Sequence, residues 1–136
     1  MTTETKIRVR YAETDTMGVV YYANYLVYME VGRVEYLREH GYPMSEVNAK
    51  VFLPVVEASC RYQKAALLDD LLTVRTRVTV RKRMSFSFGY EITHAERGDL
   101  IATAETRHGC WDAATKSLIP IPDWLEAILP VESPKT

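Results

Sequence analysis

The order of hydrophobic and polar positions changes period twice along the chain. Over residues 6–13 they alternate, with Ile7, Val9 and Tyr11 on one side and Lys6, Arg8 and Arg10 on the other. A period of two is the pattern of a half-buried strand. Over residues 24–40 the period lengthens to that of a helix. Val27, Val31 and Val34 form one stripe, Leu26, Met29 and Leu37 a second, and Tyr25, Tyr28, Gly32 and Tyr36 a third. The charged side holds Glu30, Arg33, Glu35, Arg38 and Glu39. Apolar surface this wide predicts a long, largely enclosed helix. Asn24 is suited to cap its start, and Gly41 followed by Pro43 to stop it. A glycine inside a helix costs about 1 kcal/mol relative to alanine, so Gly32 is expected to permit close packing on another backbone.

Beyond Gly41, residues 45–50 are expected to form a short helical turn or loop, after which alternation returns. Residues 53–63 predict a strand, with Pro54 near its start or at an edge because proline gives no N–H to a ladder. Residues 67–70 make a connection. In the next strand Leu72, Val74, Thr76, Val78 and Val80 face one way, and Thr73, Arg75, Arg77, Thr79 and Arg81 the other. Lys82, Arg83 and Met84 turn the chain into a strand with Phe86, Phe88, Tyr90, Ile92 and His94 on one face. After a turn at Arg97-Gly98-Asp99, residues 100–112 read as one last long strand, with Ala102, Ala104, Thr106, His108 and Cys110 together. Pro122 is expected to open a short helix carrying Trp124, Leu125, Ile128 and Leu129. Residues 130–136 are expected to fray. The pattern predicts an α+β fold, an antiparallel five-stranded sheet covered by one long helix, in a single domain over residues 1–136.

Composition narrows the partners. The chain is 47% hydrophobic and 26% charged, a globular profile, and its formal net charge of -1 points to neither nucleic acid nor an anionic membrane. Its two cysteines, Cys60 and Cys110, are too few for a disulfide framework and suit a reducing compartment. The first six residues lack the apolar centre of a signal peptide, and no apolar run is long enough to span a bilayer. The expected setting is the cytoplasm.

Between the first strand and the helix runs Tyr11-Ala12-Glu13-Thr14-Asp15-Thr16-Met17-Gly18-Val19-Val20-Tyr21-Tyr22-Ala23-Asn24-Tyr25. It supplies one loop acid, Asp15, and one hinge, Gly18. The first turn of a helix offers unpaired N–H groups and a partial positive charge, which can stabilise an anion formed during a reaction. Asp15 is therefore a base or nucleophile beside an oxyanion site. The plainer role for a loop aspartate is turn former or helix cap, and Asn24 as cap would release it from the latter. A second candidate is the basic turn Arg81-Lys82-Arg83 with Ser85, either a solvated hairpin tip or a binding place for phosphates. A rival chemistry pairs Cys110 with His108 on one strand face, although buried cysteine is commonly a small apolar filler. His40, His94 and His108 are too scattered to predict a metal site. There is neither a glycine-rich phosphate loop nor a Gly-x-Ser-x-Gly elbow.

The run from Tyr11 through Thr14-Asp15, Gly18-Val19-Val20-Tyr21-Tyr22 and Asn24-Tyr25 resembles the signature of the 4-hydroxybenzoyl-CoA thioesterase family of hotdog-fold proteins. The later strand pattern and the ending Pro122-Asp123-Trp124-Leu125 are similar too, so the resemblance spans roughly residues 6–129. It implies a curved sheet wrapped around the central helix. It implies hydrolysis of an acyl-CoA to free acid and coenzyme A, with Asp15 as catalytic carboxylate and the Tyr22 backbone N–H polarising the thioester carbonyl. Tyr11, Gly18, Val19 and Tyr25 would line the substrate site, and Arg81, Lys82, Arg83 and Ser85 would meet the coenzyme A phosphates. No cofactor is implied, since coenzyme A enters as substrate. Hotdog relatives pair into dimers with a continuous sheet and often into tetramers, with sites between subunits. The subgroup associated with the bacterial Tol-Pal envelope system usually has His where this chain has Tyr22; the hydroxybenzoyl-type branch has Tyr. Two alternatives share the fold: a thioesterase acting on acyl carrier protein, and a non-catalytic acyl-CoA-binding module.

Overall fold

The computed structural model describes residues 1–132. Its long helix, α1 (Asn24–Glu39), buries Tyr25, Tyr28, Met29, Gly32, Tyr36 and Leu37. The tyrosine–glycine stripe is therefore the one that meets the sheet. Gly32 explains the choice, because a Cβ there would lie 2.6 Å from Thr76 Oγ1 and 2.9 Å from Val74 Cγ1. Only this side lets the helix come so close. The expectation of an enclosed helix does not hold: Leu26 is 48% exposed and Val27 44%. The C-terminus stops as expected. Gly41 has φ +94, its N–H donates to Arg38 O at 3.0 Å, and the Tyr42 N–H donates to Leu37 O at 2.9 Å. These are the paired bonds of a glycine-terminated helix.

The sheet under α1 is five-stranded and antiparallel, in the order β1-β4-β5-β6-β3. Its strands are β1 (Thr3–Arg8), β3 (Val55–Tyr62), β4 (Leu71–Arg81), β5 (Phe86–His94) and β6 (Leu100–His108). β5 at the centre supplies Phe86, Phe88, Tyr90 and Ile92 to the core. The edge strand β3 is largely exposed. A short helix α2 (Met44–Asn48) follows α1, and α3 (Asp123–Glu126) closes one end of the core through Leu125, with Leu129 buried beyond it; against expectation, the helix stops short of Ile128 and Leu129. Pro122 stands just before α3 rather than within its first turn.

Four expectations are corrected. The first strand ends at Arg8; residues Tyr11–Glu13 form a 3-10 turn, closed by the Glu13 side chain reaching back to the Arg10 N–H at 3.0 Å. Two predicted strands break at the same level. The break at Pro54 separates β2 (Val51–Phe52) from β3, and the break after His108 separates β6 from β7 (Trp111–Asp112). β2 and β7 pair as a small second sheet. Pro54 has no N–H for the ladder, and its carbonyl instead takes the Gly109 N–H at 3.2 Å. In β4 the register slips between Val78 and Val80, with Val80 opposite Ser87 and Arg81 opposite Phe86. This bulge turns Val80, expected inside, to 40% exposure. Finally, the tail does not fray at its start: Val131 bridges Val78 and the Glu132 N–H donates to Val78 O at 2.9 Å. Residues 133–136 lie outside the described residues.

Candidate active site

The motif folds into a tight loop held from both sides. The Asp15 N–H donates to Val19 O at 2.9 Å and the Gly18 N–H to Asp15 O at 3.1 Å. Gly18 sits at φ +78, a conformation that suits glycine. The Val20 N–H donates to Ala66 O at 2.9 Å and the Leu68 N–H to Gly18 O at 3.0 Å. Ala66, and Leu68 from the stretch 67–70 read from sequence only as a connection, thus brace the loop.

Asp15 is exposed at the tip. Its Oδ1 accepts the Met17 N–H at 2.8 Å and the Val19 N–H at 3.4 Å, and Oδ2 takes no hydrogen bond among the described residues. The carboxylate shapes its own turn and keeps one oxygen free. The expected division of labour with Asn24 needs correction: α1 follows Ala23 without a side-chain cap, and Asn24 Nδ2 donates instead to Glu13 O at 2.8 Å.

The helix start leaves two backbone N–H groups without an acceptor among the described residues. Its first turn tightens, with the Asn24 N–H donating to Tyr21 O at 2.9 Å, Tyr25 to Tyr22 O at 3.3 Å and Leu26 to Ala23 O at 3.1 Å. The N–H groups of Tyr22 and Ala23 have no acceptor among the described residues. They stand at the positive end of α1, where an anion is stabilised. The Tyr22 ring is 62% exposed. Its carbonyl accepts the Tyr62 hydroxyl at 3.1 Å. Tyr25 is buried, edge-on to Tyr62 at 5.2 Å, with its hydroxyl accepting the Ala66 N–H at 3.4 Å. Tyr22, Tyr25 and Tyr62 line one concavity of about 270 Å³. Tyr11 and Asp15 line another of about 370 Å³. Tyr11 lines the concavity of Asp15 and Tyr25 that of Tyr22, whereas Gly18 and Val19 line neither and hold the loop through their backbone. Within one chain Asp15 and Tyr22 line two different concavities rather than a common one.

A further acid, Glu13, lies beneath the loop and was missed from sequence. It is buried. Burial pushes its carboxyl up, but hydrogen bonds from the Arg10 backbone and side chain and from Tyr28 outweigh this and hold it below the ordinary value. The Arg10–Glu13 spacing of three was the only local sign; Tyr28 comes from the next element.

The basic turn is elsewhere. β1 pairs Arg8 with Leu71, which sets the motif at the Leu71 end of β4, whereas Arg81 ends the strand. At strand rise the two ends are roughly 30 Å apart, so the structure does not bring the turn and Asp15 together in one chain. Arg81 Nη1 donates to Leu129 O at 2.7 Å and ties down the end of the chain after α3. Lys82 and Arg83 are exposed, and Ser85 is half-buried with its carbonyl accepting the Lys82 N–H at 2.8 Å. Toward this same end, a cavity of about 220 Å³ opens between α1 and β5, lined by Glu30, Arg33, Leu37, Leu53, Phe88 and His108.

The cysteine–histidine rival loses its chemistry in the fold. His108 is buried, and burial lowers its pKa to about 4. Its Nδ1 lies 3.1 Å from Leu53 O, which can only accept, so Nδ1 carries the proton. Nε2 then accepts from Thr106 Oγ1 at 2.8 Å, and Thr106 accepts from the Tyr90 hydroxyl at 2.7 Å. Burial, with Asp112 nearby, pushes the Cys110 thiol up to about 11. A neutral thiol beside an occupied imidazole is no nucleophile. Among the described residues no cluster of three or more potential ligands could hold a metal.

The sequence profile of the thioesterase-like superfamily matches residues 9–129. The chain is 38% identical over 126 residues to YneP of Bacillus subtilis (strain 168), covering 88% of this chain and 89% of that one. It is 36% identical over 107 residues to the acyl-CoA thioester hydrolase YbgC of Escherichia coli O6:H1, covering 78% and 79%. The solved structure of Slr0204, a 1,4-dihydroxy-2-naphthoyl-CoA thioesterase from Synechocystis, superposes with a TM-score of 0.84 at 29% identity, over 94% of this chain and 96% of that one. By profile, by sequence and by a sheet laid against one long helix, this chain belongs to the thioesterase-like superfamily and has its hotdog fold.

Proposed function

We propose that the chain hydrolyses an acyl-CoA thioester to a free carboxylic acid and coenzyme A. The observation that carries this is one loop that holds the exposed carboxylate of Asp15 and leads into the unclaimed N–H groups of Tyr22 and Ala23. The N–H pair holds the carbonyl oxygen as negative charge develops. Asp15 either activates water or attacks the carbonyl carbon itself. In the second route a mixed anhydride forms and thiolate leaves before water enters. A single turnover in ¹⁸O-water separates the two, since only the anhydride route routes label through the Asp15 carboxyl.

The working unit proposed is a dimer, with dimers joining as a tetramer. The edge strand β3 exposes Val55, Val56 and Tyr62, and an open apolar edge calls for a partner. Two copies of one strand related by a two-fold pair antiparallel. That symmetry lays the motif end of one copy beside the basic-turn end of the other. It would bring Lys82 and Arg83 to the partner's substrate and the cavity by His108 to its acyl group. A cavity of about 220 Å³ exceeds the roughly 150 Å³ that takes a benzene ring, so it suits a ring-sized acyl group over a long chain. Free Cys60 and Cys110 fit a reducing cytoplasm. Tyr22, rather than His, supports the hydroxybenzoyl-type branch over the Tol-Pal subgroup.

Thiol release by the purified protein across a panel of aromatic, short-chain and long-chain acyl-CoA substrates tests the reading. Turnover is expected with the compact acyl groups and little with palmitoyl-CoA. Binding without turnover would favour the non-catalytic module, and turnover confined to acyl carrier protein would favour that alternative.

A further inference from the structure

We infer, building on the thioesterase reading, that Glu13 is a positioning residue: its buried carboxylate and its carbonyl together fix Asp15 relative to the Tyr22 N–H. Glu13 is 6% exposed, two residues before Asp15. Oε1 accepts the Arg10 N–H at 3.0 Å and the Tyr28 hydroxyl at 2.8 Å, and Oε2 accepts Arg10 Nε–H at 2.8 Å. Its carbonyl accepts the Tyr21 N–H at 2.9 Å and Asn24 Nδ2–H at 2.8 Å. One residue therefore holds the start of the 3-10 turn after the first strand, the returning arm of the loop and two successive turns of α1.

Each bond has a geometric consequence. The carbonyl sets the distance between the outgoing arm, which continues into Asp15, and the returning arm, which continues into Tyr22. The carboxylate sets the tilt of that arm against the helix, because Tyr28 lies one turn beyond Asn24 and its hydroxyl is fixed by a ring packed edge-on to Tyr25 at 5.7 Å. Glu13 does not compete for the chemistry. It is buried and occupied by three donors, whereas Asp15 is exposed with one oxygen free. A buried carboxylate is costly unless its acceptors are filled, and here filling them requires the loop and helix to be in register.

A misplacement of about 1 Å near reacting groups can cost about 10²-fold in rate. Two variants test the inference. Tyr28→Phe removes one donor and keeps the ring; kcat is expected to fall about tenfold. Glu13→Gln keeps the shape but turns an N–H toward the donors of Arg10; kcat is expected to fall about 10²-fold. In both, KM for the acyl-CoA should stay near the wild-type value, because the loss is of alignment rather than of binding. The decisive measurement places the same changes in an Asp15→Asn background. If Glu13 acts through Asp15, neither change lowers kcat further there, since residues acting as a unit are not additive. A folded Tyr28→Phe and Glu13→Gln with wild-type kcat would overturn the inference, as would losses that multiply in full on the Asp15→Asn background. Absence of thiol release by the wild-type protein would overturn the thioesterase reading, whereas a normal kcat for Asp15→Asn would overturn the catalytic role of Asp15 and this inference with it, so the two failures are distinguishable.

Discussion

Gly32→Ala sets two effects of known size against each other. Helix propensity favours alanine by about 1 kcal/mol. Packing opposes it. The new Cβ would sit 2.9 Å from Val74 Cγ1, about 0.6 Å short of the lower end of ordinary carbon–carbon contact near 3.5 Å. It would also sit 2.6 Å from Thr76 Oγ1. That hydroxyl is buried without a hydrogen-bond partner among the described residues, and Thr76 is flanked in the sheet by Thr3 and Tyr90. Neither neighbour can swing into solvent, so the helix must lift. Overpacking of this kind costs roughly 1–3 kcal/mol, leaving a net destabilisation of about 1 kcal/mol once propensity is subtracted. For a chain of this size that lowers Tm by about 3–5 °C. Circular-dichroism melts at one fixed protein concentration, to hold any subunit equilibrium constant, measure it. Gly32→Ala/Thr76→Ala should recover part of the loss relative to the sum of the single changes, because the second change removes one of the clashing atoms. A rise in Tm for Gly32→Ala would mean that propensity outweighs packing and that α1 does not rest on the sheet where described.

Other outcomes follow from the site and core. Asp15→Asn retains an acceptor for the Met17 N–H but no base, so kcat should drop by about 10²–10⁴ with Tm held; near-normal turnover of the folded variant would contradict a catalytic Asp15. Tyr22→Phe should keep most activity, while Tyr22→Pro deletes the donor and should cost about 10²–10³ in kcat; equal losses would implicate the phenol instead. Neutralising Lys82 and Arg83 should raise KM for acyl-CoA far more than it lowers kcat, and should have little effect on a pantetheine thioester, which lacks the nucleotide phosphates; equal effects on both substrates would assign the turn a structural role. His108, held near pKa 4 against an ordinary 6.5, favours folding in its neutral form. The unfolded chain takes up the proton first, so stability is full above about pH 6.5 and falls by about 3 kcal/mol down to about pH 4. A His108→Gln variant with the same slope of stability against pH over that window would assign the loss to other groups.

Much of this was legible in the chain because periodicity is a strong signal where one face is buried and the other wet. The strand faces of Leu72, Val74, Thr76 and Val78 and of Ala102, Thr106 and His108 turned out as read. α1 was harder, since apolar residues occupy most of its circumference and hydrophobicity could not choose a facing side. Gly32 held that information, because only a residue without a side chain allows so close an approach. Pro54 foretold a boundary, yet nothing near Gly109 showed that the neighbouring strand would break at the same level. The loop acid at position 15 stood out by its surroundings. Glu13 did not, because its burial depends on Tyr28, fifteen positions away, and on a 3-10 turn that alternating residues conceal.

The bulge in β4 has a consequence for the charge on its hairpin. The extra residue, Thr79, fits because position 89 has no side chain: a Cβ there would lie 2.5 Å from Thr79 Cγ2. Thr79 and Gly89 together act as a phase shifter one residue long. Upstream, arginines alternate with core residues; downstream the parity is reversed, so that Arg81 falls opposite Phe86 and holds Leu129. Of three consecutive cations, one is thereby committed to the chain's own frame and two are left facing outward. Closing the bulge with Thr79 retained, so that Thr79 paired with Ser87 and Val80 with Phe86, would restore the phase, swing Val80 inward and Arg81 outward, and release the segment after α3. The number of positive charges offered to a phosphate is thus set by strand register, and could change with no substitution in the basic turn itself.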